Sequence, residues 1–191
     1  MIRIAIVDDH PALRAGLNTV LDAEPGLVVA GVATNREQLF PMLRRTAPDV
    51  VLLDYHLPDG DGLILCRQIK HLIPAPRVIL YSAYTNDRLR LAAIVAGADG
   101  ALNKSAPAHE LFDAVRSVAR GERLLEAPRP EILALAGQDL SARDAALLAM
   151  LIHGTPTPVA ASVVGEQPQT IEARIHRLLR HLRVETPARV A

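Results

Sequence analysis

The sequence predicts a doubly wound α/β domain built on a five-stranded parallel sheet, followed by a small all-helical domain. Three observations predict it. Two apolar runs, Ile4-Ala5-Ile6-Val7 and Val50-Val51-Leu52-Leu53, end in the carboxylates Asp8-Asp9 and Asp54, as buried parallel strands with acids at their carboxyl ends would. Short apolar runs alternate with amphipathic stretches as far as Gly121, the order of βα units whose crossover helices cover both faces of a sheet. Beyond Gly121 the alternation stops and the chain reads as linker and helices.

Taken in order, strands are predicted at 3–8, 27–33, 50–54, 77–82 and 100–103, and helices at 11–23, 35–46, 63–71, 86–96 and 107–120. Thr34, with Glu37 three residues on, has the form of a capping box, and Gly97 stands where the fourth helix should stop. Residues 1–121 make up this domain. Residues 122–138, with Pro128 and Pro130, form a linker with a short helix at 131–136. Residues 139–191 form the second domain, where Ser141 caps a helix running to His153. Thr157-Pro158 starts a second helix closed by Gly165, and Gln167-Pro168 starts a third with Ile171, Ile175, Leu178 and Leu182 on one face. A short helix, a tight turn and a longer helix make a helix-turn-helix.

The chain has 191 residues, 50% of them hydrophobic, and a formal net charge of zero, so it should fold as a globular protein. Thirteen of the 21 acidic and thirteen of the 21 basic residues precede the Gly121 boundary, which leaves each domain neutral. Contact with nucleic acid must therefore rest on local clustering. Cys66 is the only cysteine, so no intrachain disulfide forms. No apolar run approaches the roughly 20 residues that span a bilayer, and the chain opens directly on a strand pattern. The expectation is a soluble, cytoplasmic protein without membrane contact.

In an open α/β sheet, ligands bind at the carboxyl edge where the strand order reverses. Three carboxylates gathered there repel one another unless a cation joins them, and oxygen ligands of this kind suit Mg²⁺. A carboxylate beside Mg²⁺ can attack phosphorus. The residues thus point to a phosphoryl-accepting aspartate.

Asp54 opens the run Asp54-Tyr55-His56-Leu57-Pro58-Asp59-Gly60-Asp61-Gly62, Ser82 closes the fourth strand and Lys104 follows the fifth. With Asp8 and Asp9, these residues make 1–121 resemble the receiver domain of two-component response regulators, which has a flavodoxin-like fold. The resemblance implies that a sensor histidine kinase donates a phosphoryl group to Asp54. It further implies Mg²⁺ held by Asp8, Asp9, Asp54 and the backbone carbonyl of His56. Ser82 would hydrogen-bond the phosphoryl group and Lys104 would pair with it. Receivers usually carry Tyr or Phe three residues before that lysine; here the position is Ala101, so coupling by rotation of that ring is not expected.

Leu140-Ser141-Ala142-Arg143, Gly154, Ala161, Gly165, Thr170-Ile171 and Leu182-x-Val184 make 139–191 resemble the LuxR-type helix-turn-helix. The whole chain is then similar to the NarL/FixJ class of response regulators. This implies DNA binding through the third helix, with Thr170, Arg174, Arg177 and Arg180 as candidate contacts, and a homodimer on activation. From Glu172 to Arg183 there are four arginines and one acid, a charge suited to phosphates but equally to a solvated helix face.

There are three departures from that pattern, of which Glu166 and Glu172 favour an alternative, a regulator that works through protein contacts with an output domain that does not bind DNA in the usual way. Pro156-Thr157-Pro158-Val159 replaces a polar entry to the second helix. Glu166 stands at a normally apolar turn position, and Glu172 where lysine is usual. A phosphatase using the acid site would need a substrate pocket that the pattern does not suggest. Cys66 is read as a small core residue, Tyr84 as partly exposed packing, and His56 either as a group tuning access of water to the site or as a solvated loop residue.

Overall fold

The computed structural model describes residues 1–58 and 60–183. Asp59 and Val184, both part of the expected motifs, lie outside the described residues. The element order is β1 (Ile2–Val7), α1 (Pro11–Asp22), β2 (Leu27–Ala33), α2 (Arg36–Thr46), β3 (Val50–Asp54), β4 (His56–Leu57), β5 (Gly60–Asp61), α3 (Gly62–Lys70), β6 (Arg77–Ser82), α4 (Asp87–Ala96), β7 (Gly100–Asn103) and α5 (Ala108–Ala119). The helical region adds α6 (Pro130–Gly137), α7 (Ala142–Ile152), α8 (Thr157–Val164) and α9 (Pro168–Leu182).

The main sheet has the order β2-β1-β3-β6-β7, with all its strand pairs parallel. Successive strand side chains point to opposite faces, and the core divides accordingly. Ile4, Ile6, Val50, Leu52, Ile79 and Tyr81 pack with α1 and α5. Ala5, Val7, Val51, Leu53, Val78 and Leu80 pack with α2, α3 and α4. The chain leaves β1 first towards β2 and later returns to the other side of β1 as β3. The topological switch point therefore lies between β1 and β3, where Asp8 and Asp54 emerge.

The predicted strands and helices are all present, with boundaries shifted by a residue or two at their ends. One cap differs: Asn35, not Thr34, accepts the hydrogen bond from the Gln38 amide, at 3.0 Å. The Gln38 side chain reaches back to the Thr34 amide and hydroxyl. The sequence reading missed the two-residue antiparallel pair β4–β5, which shapes the loop after Asp54.

The sequence reading also missed that the second half of α4 is buried on all sides. Leu89 and every residue from Leu91 to Ala96 are buried. One face of α4 meets the sheet layer while α7 and α9 cover another, so a single apolar cluster runs from the sheet into α7–α9. A helix hydrophobic all round is a buried helix, and the run Leu91-Ala92-Ala93-Ile94-Val95-Ala96 was the available signal. No helix among the described residues is long and apolar enough to cross a membrane.

Gly62 opens α3 directly beneath the end of β3, and its amide donates to the Tyr55 carbonyl at 3.1 Å. A Cβ here would lie 2.5 Å from the Asp54 carbonyl oxygen and 2.8 Å from Tyr55 Cα. Both are backbone atoms of the strand end and cannot yield cheaply. Gly62→Ala should cost about 1–3 kcal/mol in urea unfolding, and unchanged stability would show that the β3 end can move.

Candidate functional site

The carboxyl ends of β1, β3, β6 and β7 supply the site. Asp8 is anchored where its amide donates to the Ala33 carbonyl at 3.1 Å, tying the end of β1 to β2. Its own carbonyl accepts from Arg14 Nη1 at 2.8 Å. Asp54 ends β3 opposite Tyr81 of β6, and its Oδ1 accepts from the His56 amide at 3.1 Å. The Lys104 amide donates to the Ser82 carbonyl at 2.8 Å, which brings the fourth and fifth predicted site residues level. Asp8, Asp54 and Ser82 are buried.

Lys104 Nζ lies 2.7 Å from Asp8 Oδ2 and 2.8 Å from Asp54 Oδ2. The ammonium therefore bridges the two buried carboxylates. Burial pushes both carboxyls up. For Asp8, Lys104 and the donors of His10 outweigh burial and leave the group below its usual range. For Asp54, burial and the neighbouring Asp8 charge outweigh Lys104 and leave it raised. One ammonium offsets the charge of only one of the two buried carboxylates.

Ligand atoms of Asp8, Asp9, His10 and Asp54 lie within 4.8 Å of one another. Acidic oxygens at this spacing, two of the carboxylates buried, fit a hard divalent cation. His10 is the site residue the sequence reading missed, although it directly follows the acid pair. Its Nδ1 is 3.0 Å from Asp8 Oδ1 and 3.0 Å from Asp9 Oδ1.

Around this centre, Ser82 Oγ accepts from the Tyr84 amide at 3.2 Å, tying it to the loop before α4. Ala101 sits in β7 as expected. A different aromatic, Tyr81, is buried under the site, and its hydroxyl donates to the Lys104 carbonyl at 3.3 Å. Burial and then the Asp8 charge push its phenol up. The His56 ring meets Tyr55 edge-on, with centroids 4.3 Å apart. Cys66 is fully buried, and burial pushes its thiol to about 12, which makes it a core residue. Tyr84 is 52% exposed.

In the helical region, α8, a turn through Gly165 in the left-handed conformation and α9 form the helix-turn-helix. Thr170, Arg177 and Arg180 are exposed. Arg174 is not: it is buried, with Nε 2.9 Å from Asp144 Oδ1 and Nη1 2.8 Å from Glu166 Oε1. Its expected place among the DNA contacts is therefore corrected. It shares the stripe of Ile171, Ile175 and Leu178, and its ion pairs lie inside the domain. Glu166 is explained by the same pairing.

Glu172 does not face solvent with the wrong sign either. It receives Arg67 of α3 as a two-pronged pair, Nη2 to Oε1 at 2.6 Å and Nε to Oε2 at 3.2 Å. Thr157 Oγ1 at 2.9 Å and His71 Nε2 at 3.2 Å complete its partners.

A doubly wound sheet with clustered acids and an ammonium at its switch point, joined to a helix-turn-helix, defines a phosphoryl-responsive regulator of two parts. Residues 4–116 match the response regulator receiver domain family. The chain is 33% identical to the DNA-binding transcriptional activator DevR/DosR of Mycobacterium tuberculosis, covering 100% of this chain and 93% of the relative. A solved LuxR-family two-component response regulator from an Aurantimonas species is 31% identical with a TM-score of 0.62, covering 69% of this chain and 92% of that one. The response regulator ChrA of a heme-sensing two-component system is also 31% identical, with a TM-score of 0.56 and coverage of 92% and 87%. The chain belongs to the response regulator family, in the NarL/FixJ class with a LuxR-type output domain.

The raised Asp54 carboxyl has a sign that can be checked. Ionising it costs more in the folded than in the unfolded chain, so its contribution to stability is present at low pH and lost as pH rises through the folded value. Without divalent cations, Asp54→Asn should raise the melting temperature at pH 7, and the gain should shrink towards pH 4. An unchanged or lower melting temperature at pH 7 would contradict the imbalance.

Proposed function

We propose that this regulator takes a phosphoryl group on Asp54 from a sensor histidine kinase and, in response, changes the DNA binding of its helix-turn-helix in the cytoplasm. The observation that carries the reading is Lys104, held by two buried carboxylates from the strands flanking the switch point. Asp54 is the acceptor. Asp8, Asp9, Asp54 and the backbone carbonyl of His56 would hold Mg²⁺, which offsets the charge of the phosphoryl oxygens. Lys104 pairs with the incoming oxygens, and the Ser82 hydroxyl donates to one of them.

The route to the output is physical. Ser82 Oγ already accepts from the Tyr84 amide, so its turn towards the phosphoryl group carries to Tyr84, which lies in the loop capped into α4 by Asn86. The helices α7 and α9 pack on α4, so a shift at its start bears on the surface that holds the recognition helix. The Arg67–Glu172 pair holds the same helix to α3. Thr170, Arg177 and Arg180 are the contacts we assign to DNA, with a homodimer spacing two such helices. The protein-contact alternative loses its main support, because Glu166 and Glu172 both have partners within the chain.

Incubation with a small phosphodonor and Mg²⁺ should add the mass of one phosphoryl group, and Asp54→Asn should abolish the gain. A gain that persists in that variant would remove Asp54 as the acceptor. Arg67→Ala should strengthen DNA binding of the unphosphorylated protein by roughly three- to tenfold in a gel-shift titration. Arg177→Ala should weaken binding and reduce its salt slope by about one. Absence of salt-dependent binding in the phosphorylated protein would restore the alternative.

A further inference from the structure

We propose that Asn103 is a positioning residue of the phosphoryl response. Its side-chain amide clasps the Lys104 turn to the Ser82 loop, so that the two residues facing the phosphoryl group move together and pass that movement to the start of α4. The inference rests on the reading of Asp54 as the phosphoryl acceptor and adds the part that joins the groups around it.

The position comes from the sheet. Asn103 ends β7 opposite Ser82, which ends β6. Beyond this pair the two segments part, Lys104 entering the turn before α5 and Ser82 leading into the loop before α4. The Lys104 amide donates to the Ser82 carbonyl at 2.8 Å; past that bond no backbone hydrogen bond joins the two segments among the described residues. Only side chains can then hold one to the other.

Asn103 does so in both directions. Its Nδ2 donates to the Ala83 carbonyl at 3.2 Å and to Thr85 Oγ1 at 3.2 Å. Its Oδ1 accepts from the Ser105 amide at 2.8 Å and from Ser105 Oγ at 2.6 Å. The partners fix the orientation of the amide. A backbone carbonyl only accepts and a backbone amide only donates, so the nitrogen must face Ala83 and the oxygen Ser105.

A turn-forming role alone would need less. The bond from the Ser105 amide to Oδ1 is the turn that Asn or Asp makes with the backbone two residues on. A carboxylate would make that bond equally well, but it could not donate to the Ala83 carbonyl. The Nδ2 end is therefore surplus to the turn, and it is the end that reaches the other loop.

The clasp lies between the groups that would engage the phosphoryl group and the helix they act on. On the lysine side, the Lys104 backbone is held from β6 at both ends, its amide by the Ser82 carbonyl and its carbonyl by the Tyr81 hydroxyl at 3.3 Å. On the serine side, Thr85 immediately precedes Asn86, whose side chain accepts from the Leu89 amide at 2.8 Å and caps α4. Ala101 and Leu102, the residues of β7 before Asn103, have no polar side-chain atom. The bonds of Asn103 lie at the rim of the site and each contributes modestly. Their loss should uncouple the two segments and leave the sheet intact.

The test follows hydrogen exchange of the amides from Tyr84 to Arg90 in the full chain with Mg²⁺, before and after addition of a small phosphodonor, beside the mass gain on Asp54. Phosphorylation of the wild-type chain should change these exchange rates. Asn103→Leu, of similar size, should still gain the phosphoryl mass, while the ratio of rates with and without phosphodonor moves towards unity by about threefold or more. A ratio is read because a general loss of stability would raise both rates and leave it unchanged. Thr85→Val removes only the hydroxyl on the α4 side, should shift the ratio in the same direction, and serves in place of Asn103→Leu if that variant does not fold. An unaltered ratio in the phosphorylated variant would overturn the assignment. Loss of the mass gain in Asn103→Leu alone would also overturn it, since Asn103 would then act in accepting the phosphoryl group and not in the response. If the wild-type chain gains no mass on Asp54, the reading of Asp54 fails and the inference falls with it.

Discussion

Two buried carboxylates share one ammonium, and much of the receiver is arranged to keep them doing so. Asp8 and Asp54 project from neighbouring parallel strands of the sheet centre, where neither can retreat into solvent. Lys104 reaches both because β7 lies beside β6, and β6 beside β3. The balance is incomplete by design of the topology: one strand edge collects more negative charge than one lysine can offset. That shortfall makes the site receptive to further cationic partners and makes any change of charge there a structural event.

The second consequence of the layout is that the site and the output share a helix. Ser82 leads into the loop before α4, and α4 is packed both on the receiver and on α7 and α9. In many two-domain chains a linker is the sole connection, and inter-domain contacts are modest and polar. Here the apolar cluster is continuous across the boundary. Ala101 removes one aromatic from the usual place of coupling, while Tyr81 ties the lysine loop to β6 from below.

Much of this was legible from the residues. The strands were readable because each apolar run stops at a charge or a small polar residue, and the acids were readable because their strand ends are. Helix starts were less so: Thr34 and Asn35 can both cap, and only the fold chooses between them. Arg174 was misread because four arginines at intervals of three look alike in sequence. The apolar stripe of α9 already set Arg174 beside Ile171, Ile175 and Leu178, which is the signal that separates it from Arg177 and Arg180. Glu172 could not be understood locally at all. Its partner Arg67 lies 105 residues earlier, and no periodicity in either helix points to the other. His10 was overlooked because a residue next to an acid pair carries no pattern of its own.

The double burial of α4 bears on how the chain comes apart. A helix with one face in each domain cannot lose either neighbour without exposing apolar surface, so the receiver and the helix-turn-helix are not independent units of stability. Heating should melt them in a single transition, with the linker contributing little, where two separate cores would give two. Mutations in α9 that only loosen its packing would then lower the stability of a sheet they never touch.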